Sequence, residues 1–334
     1  TLRPIFKKIK RYNAPLVLYK VCSTFDSAPD LGSIGRAAEI GKKIFASKIV
    51  PILSAAPRLG RFTLFGNHFI AVGDKVYRMD RHPSMPNHPA TPMKESDLRR
   101  HLSKQTDLSC GLVSVLNLEK GVKWARGHFN DLIKKNIPLV LFDTLIEQHL
   151  NRACEVIWKY VEKEKISFCI GSQEIGFGLA KEWKRLRLLS DMHKNNARTA
   201  DRKARNILVV SGSCATVTGK QIEWASAHGF ICIRINPDRL FETTSKKEEI
   251  SRVLKESISK LKNGKSVVIY SAKGPTDTSI SKTQKMIRRL GLESQALTQG
   301  LGGILGDQTK AIIAESDVKR VVLVGGDISG RITP

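Results

Sequence analysis

Residues 19–27 read Tyr-Lys-Val-Cys-Ser-Thr-Phe-Asp-Ser, and this stretch decides how the fold is interpreted. An apolar segment at 16–21 leads into small polar residues and one carboxylate, and Pro29, Gly32 and Gly35 then precede a helix-like stretch. The order strand, polar turn, helix is typical of open α/β sheets, in which ligands bind at the carboxyl ends of the strands. The stretch therefore predicts a ligand-binding turn at 23–27.

Apolar, β-branched runs recur along the chain and alternate with helix-like stretches. The runs lie at 50–55, 138–142, 166–170, 207–210, 230–235, 266–270 and 321–324. Apolar residues at i, i+3 and i+4 spacing indicate helices at 118–135, 145–165, 247–262 and 279–290. The alternation predicts an α/β fold with two domains, each with a mostly parallel sheet flanked by helices.

The segment 188–206 is charged, rich in Asn and poor in apolar residues, and it precedes the apolar run that starts at Ile207. It predicts a linker between a first domain at 1–187 and a second domain at 207–334. The segment 58–93 is rich in Gly, Pro and His. It predicts a hairpin, 62–72 against 75–79, within an insertion or a long functional loop.

The net charge of +25 admits a nucleic-acid-binding protein, because Lys and Arg clusters bind phosphate without regard to sequence. Apart from Trp183, the basic clusters lack interleaved aromatic residues that could stack on bases, so solvated faces are the favoured interpretation. A positive field would also concentrate small anionic substrates.

Cysteine spacing and hydropathy narrow the class of protein further. The six cysteines are scattered without a CxxC pair, which disfavours a zinc ribbon or a disulfide framework and indicates a reducing cytoplasm. No apolar run reaches the roughly 18 residues of a membrane span, so no membrane partner is predicted.

Two strands of the second domain end in small polar turns. The first turn is Ser211-Gly212-Ser213-Cys214, and the second is Gly325-Gly326-Asp327-Ile328-Ser329. Backbone N–H groups at such a turn, together with a following helix N-terminus, suit a phosphate group, although plain tight turns are the alternative. Both turns follow parallel strands, so they are predicted to lie on one edge of the sheet and to face each other.

These segments together resemble the four-carbon acid sugar kinase family, whose members phosphorylate acids such as threonate, erythronate and 3-oxo-tetronate with ATP. The resemblance is carried by YKVCSTFDSAPDLGSIGRAAEIG at 19–41, HPATPM at 88–93, DL at 97–98, QT at 105–106, SGSC at 211–214 and GGDISG at 325–330. It implies a first domain that holds the sugar acid and a second that holds ATP with Mg²⁺. A branched acid, 3-oxo-isoapionate, fits as well as the linear ones.

Turn chemistry and the resemblance together give the candidate residues. Those for the sugar acid are Ser23, Thr24, Asp26, Ser27, His88, Thr91 and Asp143, with Asp26 as the candidate catalytic residue. Those for ATP are Ser211, Gly212, Ser213, Gly325, Gly326, Asp327 and Ser329. No residue is assigned as a metal ligand. The alternative role for Asp26 is to cap the helix that begins near Ile34.

Two departures from the family pattern bear on activity. Ile328 stands where the family has Thr, and the family's ADDLTG-like N-terminal motif and its last glycine-rich segment are expected to fall outside this chain. The alternative function is therefore a truncated, non-catalytic remnant that binds anions or nucleic acid. As partners, the sugar acid and ATP are expected, nucleic acid is disfavoured, and a homodimer is left open.

Overall fold

The computed structural model describes residues 2–87, 91–189, 204–241, 243–274, 276–291 and 294–333. The chain divides into two compact units, 1–193 and 194–334. The α/β fold with two domains is therefore confirmed. The predicted linker at 188–206 falls mainly outside the described residues, and its bounds stay a prediction.

The first unit combines a parallel sheet with a small antiparallel one. Its strands are β1 (Leu16–Lys20), β2 (Val50–Leu53), β3 (Arg61–Leu64), β4 (Asn67–Val72), β5 (Lys75–Arg78), β6 (Cys110–Val113), β7 (Leu139–Phe142) and β8 (Ser167–Gly171). Its helices are α1 (Leu2–Lys10), α2 (Ile34–Phe45), α3 (Leu98–Leu102), α4 (Val115–Glu119), α5 (Val122–Lys134), α6 (Glu147–Val161) and α7 (Gln173–Arg185). The parallel sheet has the order β1-β8-β2-β7-β6, and β3, β4 and β5 form the antiparallel sheet.

Two apolar cores lie on the two faces of the parallel sheet. Every residue of β2, β7 and β8 is buried, as expected for parallel strands covered on both faces. Ile52 belongs to one core and its neighbour Leu53 to the other, because successive side chains of a strand point to opposite faces. The ring of Phe168 stacks on Phe45 of α2 at 5.4 Å, which fixes α2 against the sheet.

The second unit has one four-stranded parallel sheet. Its strands are β9 (Leu208–Ser211), β10 (Ile231–Arg234), β11 (Val267–Tyr270) and β12 (Val321–Val324). Its helices are α8 (Thr216–Ala227), α9 (Thr243–Lys262), α10 (Thr278–Arg289), α11 (Ser294–Glu315) and α12 (Gly326–Ile332). The order β10-β11-β9-β12 places β9 and β12 side by side, so their carboxyl ends share one edge.

Two local predictions were wrong in detail. The predicted helix at 118–135 is two helices, α4 and α5, because Gly121 has a φ of 98° that interrupts the α-helical path. The predicted strand at 62–72 is two strands, because Phe65 and Gly66 form a turn with φ of 51° and 82°. The predicted hairpin is therefore a three-stranded sheet.

Among the described residues, no helix is both long enough and apolar enough to cross a membrane.

Candidate functional site

The polar turn after β1 alternates between buried and accessible residues. Ser23, Phe25 and Ser27 are buried, whereas Thr24 and Asp26 are partly accessible. The backbone N–H of Phe25 donates to the carbonyl of Cys22 at 3.0 Å and closes the turn. The accessible side chains therefore lie beyond the carboxyl end of β1, at the edge predicted for a ligand.

Asp26 is the centre of a small cluster of hydroxyl groups. The Thr24 hydroxyl donates to Oδ1 of Asp26, and the Thr91 hydroxyl donates to Oδ2 at 3.0 Å. The structure thus brings together three of the predicted sugar-acid residues, from positions 65 residues apart. The alternative role of Asp26 as a helix cap is wrong, because Ser33 caps α2 by accepting from the Arg36 N–H at 3.1 Å.

Ser23 and Ser27 make their described contacts on the inner side of the turn. The carbonyl of Ser23 accepts from the ring of His68 at 2.7 Å. The hydroxyl of Ser27 lies 2.9 Å from Nε2 of His101 and accepts from the amide of Gln105 at 2.9 Å. Their role as direct sugar-acid contacts stays a prediction. His88 lies outside the described residues, so its role also stays a prediction.

Gln105 of the QT pair makes partly buried hydrogen bonds that connect two segments of the site. Oε1 of Gln105 accepts from the backbone N–H of Gly35 at 3.2 Å. A Cβ at Gly35 would lie 2.7 Å from the Cβ of Gln105, so glycine is required for this approach. Gln105 therefore ties the first turn of α2 to the polar turn through Ser27.

Asp143 follows β7 and is fully buried. Its carboxylate accepts three backbone N–H groups, from Phe65 at 2.7 Å, Gly66 at 3.0 Å and Val115 at 3.1 Å. Burial raises the pKa of Asp143, while the three N–H groups oppose that shift. Asp143 therefore holds the β3–β4 turn and the start of α4 in place. Its contact with substrate stays a prediction.

A cation that sequence reasoning missed lies beyond β2 and β8. Arg58 donates to the buried carboxylate of Glu174 through two nitrogens, at 2.9 and 3.1 Å. The guanidinium group also stacks 4.2 Å from the ring centre of Phe177. Nothing in the local sequence links Glu174 to Arg58, 116 residues away.

In the second unit, the two predicted turns do share one edge of the sheet. The N–H of Gly212 donates to the carbonyl of Val324 at 3.1 Å, and a Cβ at Gly325 would lie 3.4 Å from the nitrogen of Ser213. The φ of Gly325 is 118°, a conformation that favours glycine. The predicted placement of the turns is confirmed, while their role in binding ATP stays a prediction.

The hydroxyl groups of these turns differ in how they are used. Ser213 accepts from the N–H of Ala215 at 3.2 Å and lies 3.0 Å from the Thr218 hydroxyl. Ser329 donates to the carbonyl of Gly325 at 2.7 Å, inside α12. The Ser211 hydroxyl is buried without a hydrogen-bond partner within the described ranges. Gly326 begins α12 and Asp327 follows it, but only the backbone of Asp327 is described.

The N-terminus of α8 is open to an anion. Ala215 occupies the cap position without a side-chain capping bond, and Thr216 and Val217 are exposed. The first N–H groups of a helix lack intrahelical acceptors and carry partial positive charge. A Cβ at Gly219 would lie 2.6 Å from the carbonyl oxygen of Lys273, so this glycine lets the loop after β11 pass against the first turn of α8.

Three charged residues at the same edge were also missed by the sequence reasoning. Asp277 accepts from both terminal nitrogens of Arg234, at 2.9 and 2.8 Å, and from the backbone N–H of Lys273 at 2.7 Å. The hydrogen bonds from Arg234 hold the pKa of Asp277 well below its usual range. The Lys273 ammonium lies 5.4 Å from the centre of the Tyr270 ring. The available signal was a lysine three residues after the end of the predicted strand at 266–270.

The described residues hold no group of three His, Cys, Asp or Glu side chains that could bind a metal ion. A cleft of about 590 Å³ lies beside α3 and the start of β6, and the predicted site residues do not line it. The candidate sites are therefore the two sheet edges just described.

Comparison with family models defines the class of protein to which these edges belong. Residues 1–178 match the model of a sugar-binding N-terminal domain, and residues 208–333 match the model of a nucleotide-binding C-terminal domain. The chain thus joins a sugar-binding domain to a nucleotide-binding domain. It belongs to the four-carbon acid sugar kinase family, as the sequence motifs predicted.

Curated relatives cover nearly the whole chain. It is 36% identical over 331 residues to a 3-oxo-isoapionate kinase of Paraburkholderia graminis, a match that spans 99% of this chain and 69% of the relative. It is 27% identical over 320 residues to a 3-oxo-tetronate kinase of Pseudomonas fluorescens, spanning 95% of this chain and 67% of the relative.

Two crystal structures support the fold. A Salmonella typhimurium LT2 protein aligns with a TM-score of 0.69 at 21% identity, covering 97% of this chain and 71% of the other. A Haemophilus influenzae protein aligns with a TM-score of 0.59 at 20% identity, covering 98% of this chain and 72% of the other.

Proposed function

We propose that this chain transfers the γ-phosphoryl group of ATP to a hydroxyl group of a small sugar acid, and that its preferred acid is the branched 3-oxo-isoapionate. The assignment as a sugar-acid kinase rests on the two domain matches and on relatives that are curated kinases. The observation that carries the choice of acid is the higher identity to the 3-oxo-isoapionate kinase, 36% against 27% for the 3-oxo-tetronate kinase.

We assign the sugar acid to the turn at 23–27 and the neighbouring Thr91. Asp26 is partly accessible, and each of its oxygens already accepts one hydroxyl group. A carboxylate has about four acceptor sites, so it can also accept from a substrate hydroxyl and take up its proton. The hydroxyl groups of Thr24 and Thr91 would orient that carboxylate. Ser23, Ser27 and His88 keep their predicted places in this site.

We assign the phosphate groups of ATP to the turns after β9 and β12. The N-terminus of α8 has no side-chain cap, so its first N–H groups lack intrahelical acceptors, and a Cβ at Gly325 would lie 3.4 Å from the nitrogen of Ser213, so the two turns are adjacent. Phosphoryl transfer depends mainly on positioning and on neutralising charge. Mg²⁺ would arrive with ATP, since it usually binds through phosphate oxygens, waters and one or two carboxylates.

A substrate panel tests this proposal. ADP release is measured in a coupled assay with 3-oxo-isoapionate, 3-oxo-tetronate, threonate and erythronate at a fixed, saturating ATP concentration. The proposal predicts the highest kcat/KM for 3-oxo-isoapionate. A higher kcat/KM for a linear acid would refute the proposed preference, and ADP release that no acid stimulates would refute the kinase function itself.

A further inference from the structure

The turn that carries Asp26 has an unusual backbone. Phe25 is fully buried and has a φ of 56°, in the left-handed region that bulky residues rarely adopt. Such a conformation persists only where the surroundings hold it in place, and such residues cluster at functional sites. Two buried histidines contact the turn on either side of Phe25.

His68, on β4, holds the first part of the turn. Its Nε2 lies 2.7 Å from the carbonyl oxygen of Ser23, and its Nδ1 lies 3.0 Å from the Thr63 hydroxyl. A carbonyl oxygen can only accept, so Nε2 carries the proton and Nδ1 accepts from Thr63. The antiparallel sheet thereby delivers one N–H donor directly to the backbone of the turn.

His101, on α3, holds the other end of the turn. The Gln105 amide accepts the Gly35 N–H through Oε1, so its nitrogen faces Ser27 and His101 as a donor. Nε2 of His101 therefore accepts from the Gln105 nitrogen at 3.0 Å, and it lies 2.9 Å from the Ser27 hydroxyl, which also contacts the Phe25 carbonyl at 3.2 Å. The His101 ring also meets the Phe25 ring edge-on, with centres 6.5 Å apart.

We propose that His68 and His101 are positioning residues that hold the turn at 22–27 and thereby fix the Asp26 carboxylate against the sugar acid. This inference rests on the proposed sugar-acid site. It also gives a function to the segment 58–93, since that segment supplies both His68, on β4, and Thr91.

The protonation state of both histidines agrees with this role. Burial lowers the pKa of His68 to about 4, and the nearby Arg61 contributes in the same direction. Burial also lowers the pKa of His101 to about 4, with Lys104 lowering it further and the Ser27 backbone, Glu95 and Asp26 opposing. Both rings are therefore neutral near pH 7, as their hydrogen bonds require.

A matched pair of variants separates positioning from structural support. His128 on α5 also contacts a backbone carbonyl, that of Leu112 at 3.0 Å, but at β6 and not at the turn. His68→Leu and His128→Leu each remove one such bond. His68→Gln retains an N–H donor at the distance of Nε2. Wild type and the three variants are compared for kcat and KM with 3-oxo-isoapionate, KM with ATP, and Tm.

We expect His68→Leu to lose about 10- to 100-fold in kcat relative to His128→Leu, since small misplacements of a reacting group cost rates of this order. KM for ATP should be unchanged, and His68→Gln should recover most of the loss. Equal kcat for the two Leu variants, or no recovery with His68→Gln, would overturn the inference. His101→Leu, which leaves His68 and its sheet intact, provides an independent test with the same expected loss.

The experiment also distinguishes the inference from the function on which it rests. Wild-type protein that phosphorylates no sugar acid would refute the proposed function and the inference with it. Wild-type turnover together with insensitivity to both histidine substitutions would refute the inference alone.

Discussion

Replacing Asp143 with Asn tests whether the buried carboxylate after β7 is a structural anchor. The carboxylate accepts N–H groups from Phe65 and Val115 on one oxygen and from Gly66 on the other. Asn has one oxygen and one NH₂ group, so at least one of these N–H groups must face a second donor.

The expected loss follows from counting these bonds. A buried N–H group left without an acceptor costs about 1–3 kcal/mol, and the remaining bonds lose the contribution of the negative charge. Asn also removes the cost of burying a negative charge, which offsets part of this loss, because burial raises the pKa of Asp143. We expect the unfolding free energy of the first unit to fall by about 2 kcal/mol for Asp143→Asn.

Urea unfolding followed by tryptophan fluorescence measures this loss. A Trp224→Phe background removes the described second-unit tryptophan, so the signal reports Trp124, Trp158 and Trp183 of the first unit. Asp131→Asn, at an exposed carboxylate on α5, serves as the control and should change stability by less than about 0.5 kcal/mol. Unchanged stability of Asp143→Asn with a raised KM for the sugar acid would refute the structural role and favour the predicted substrate contact.

Three further predictions concern pH, backbone packing and the candidate base. The pKa values of His68 and His101 lie at about 4 in the folded protein, below the value near 6.5 in the unfolded chain. The contribution of these two histidines to the unfolding free energy is therefore complete above pH 6.5 and is lost as the pH falls toward 4. His68→Gln should flatten the dependence of unfolding free energy on pH by about 1.4 kcal/mol per pH unit in this window, and an unchanged slope would contradict the assignment. Gly219→Ala should destabilise the second unit by about 1–3 kcal/mol and weaken ADP binding measured by calorimetry, because its Cβ would meet the carbonyl of Lys273. Gly303→Ala, an exposed helical position with open space around its Cβ, is the control, and equal effects of the two would argue against the close contact. Asp26→Asn should lower kcat by about 100-fold or more at unchanged Tm, and wild-type turnover would remove Asp26 from the mechanism.

The architecture could be predicted because it depends on local patterns. Except for β6, which was not predicted, each parallel strand is a short apolar run identified in the sequence. The turns at 23–27, 211–214 and 325–329 are marked by small polar residues directly after such runs. Since parallel strands share one direction, their turns must share an edge, and the approach of Gly325 to Ser213 follows from that rule. A helix break that depends on the backbone conformation of one residue, such as the φ of 98° at Gly121, is harder to predict from the sequence.

The contacts that organise the site could not be predicted, because they join distant positions. His68 meets Ser23 across 45 residues, and Arg58 meets Glu174 across 116. Each depends on the register of a sheet and on side-chain packing, which a single sequence does not report. Asp143 illustrates the consequence: a carboxylate after a strand suggested a ligand, whereas the structure shows three backbone N–H groups around it.

Transfer of labelled phosphate tests the central claim most directly. The protein is incubated with γ-³²P-labelled ATP and 3-oxo-isoapionate, and the products are separated by charge and identified by mass. The account predicts that the label appears in a phosphorylated sugar acid, and that Asp26→Asn slows its formation by about 100-fold or more. Label that remains in ATP, or that appears only as inorganic phosphate, would contradict the account.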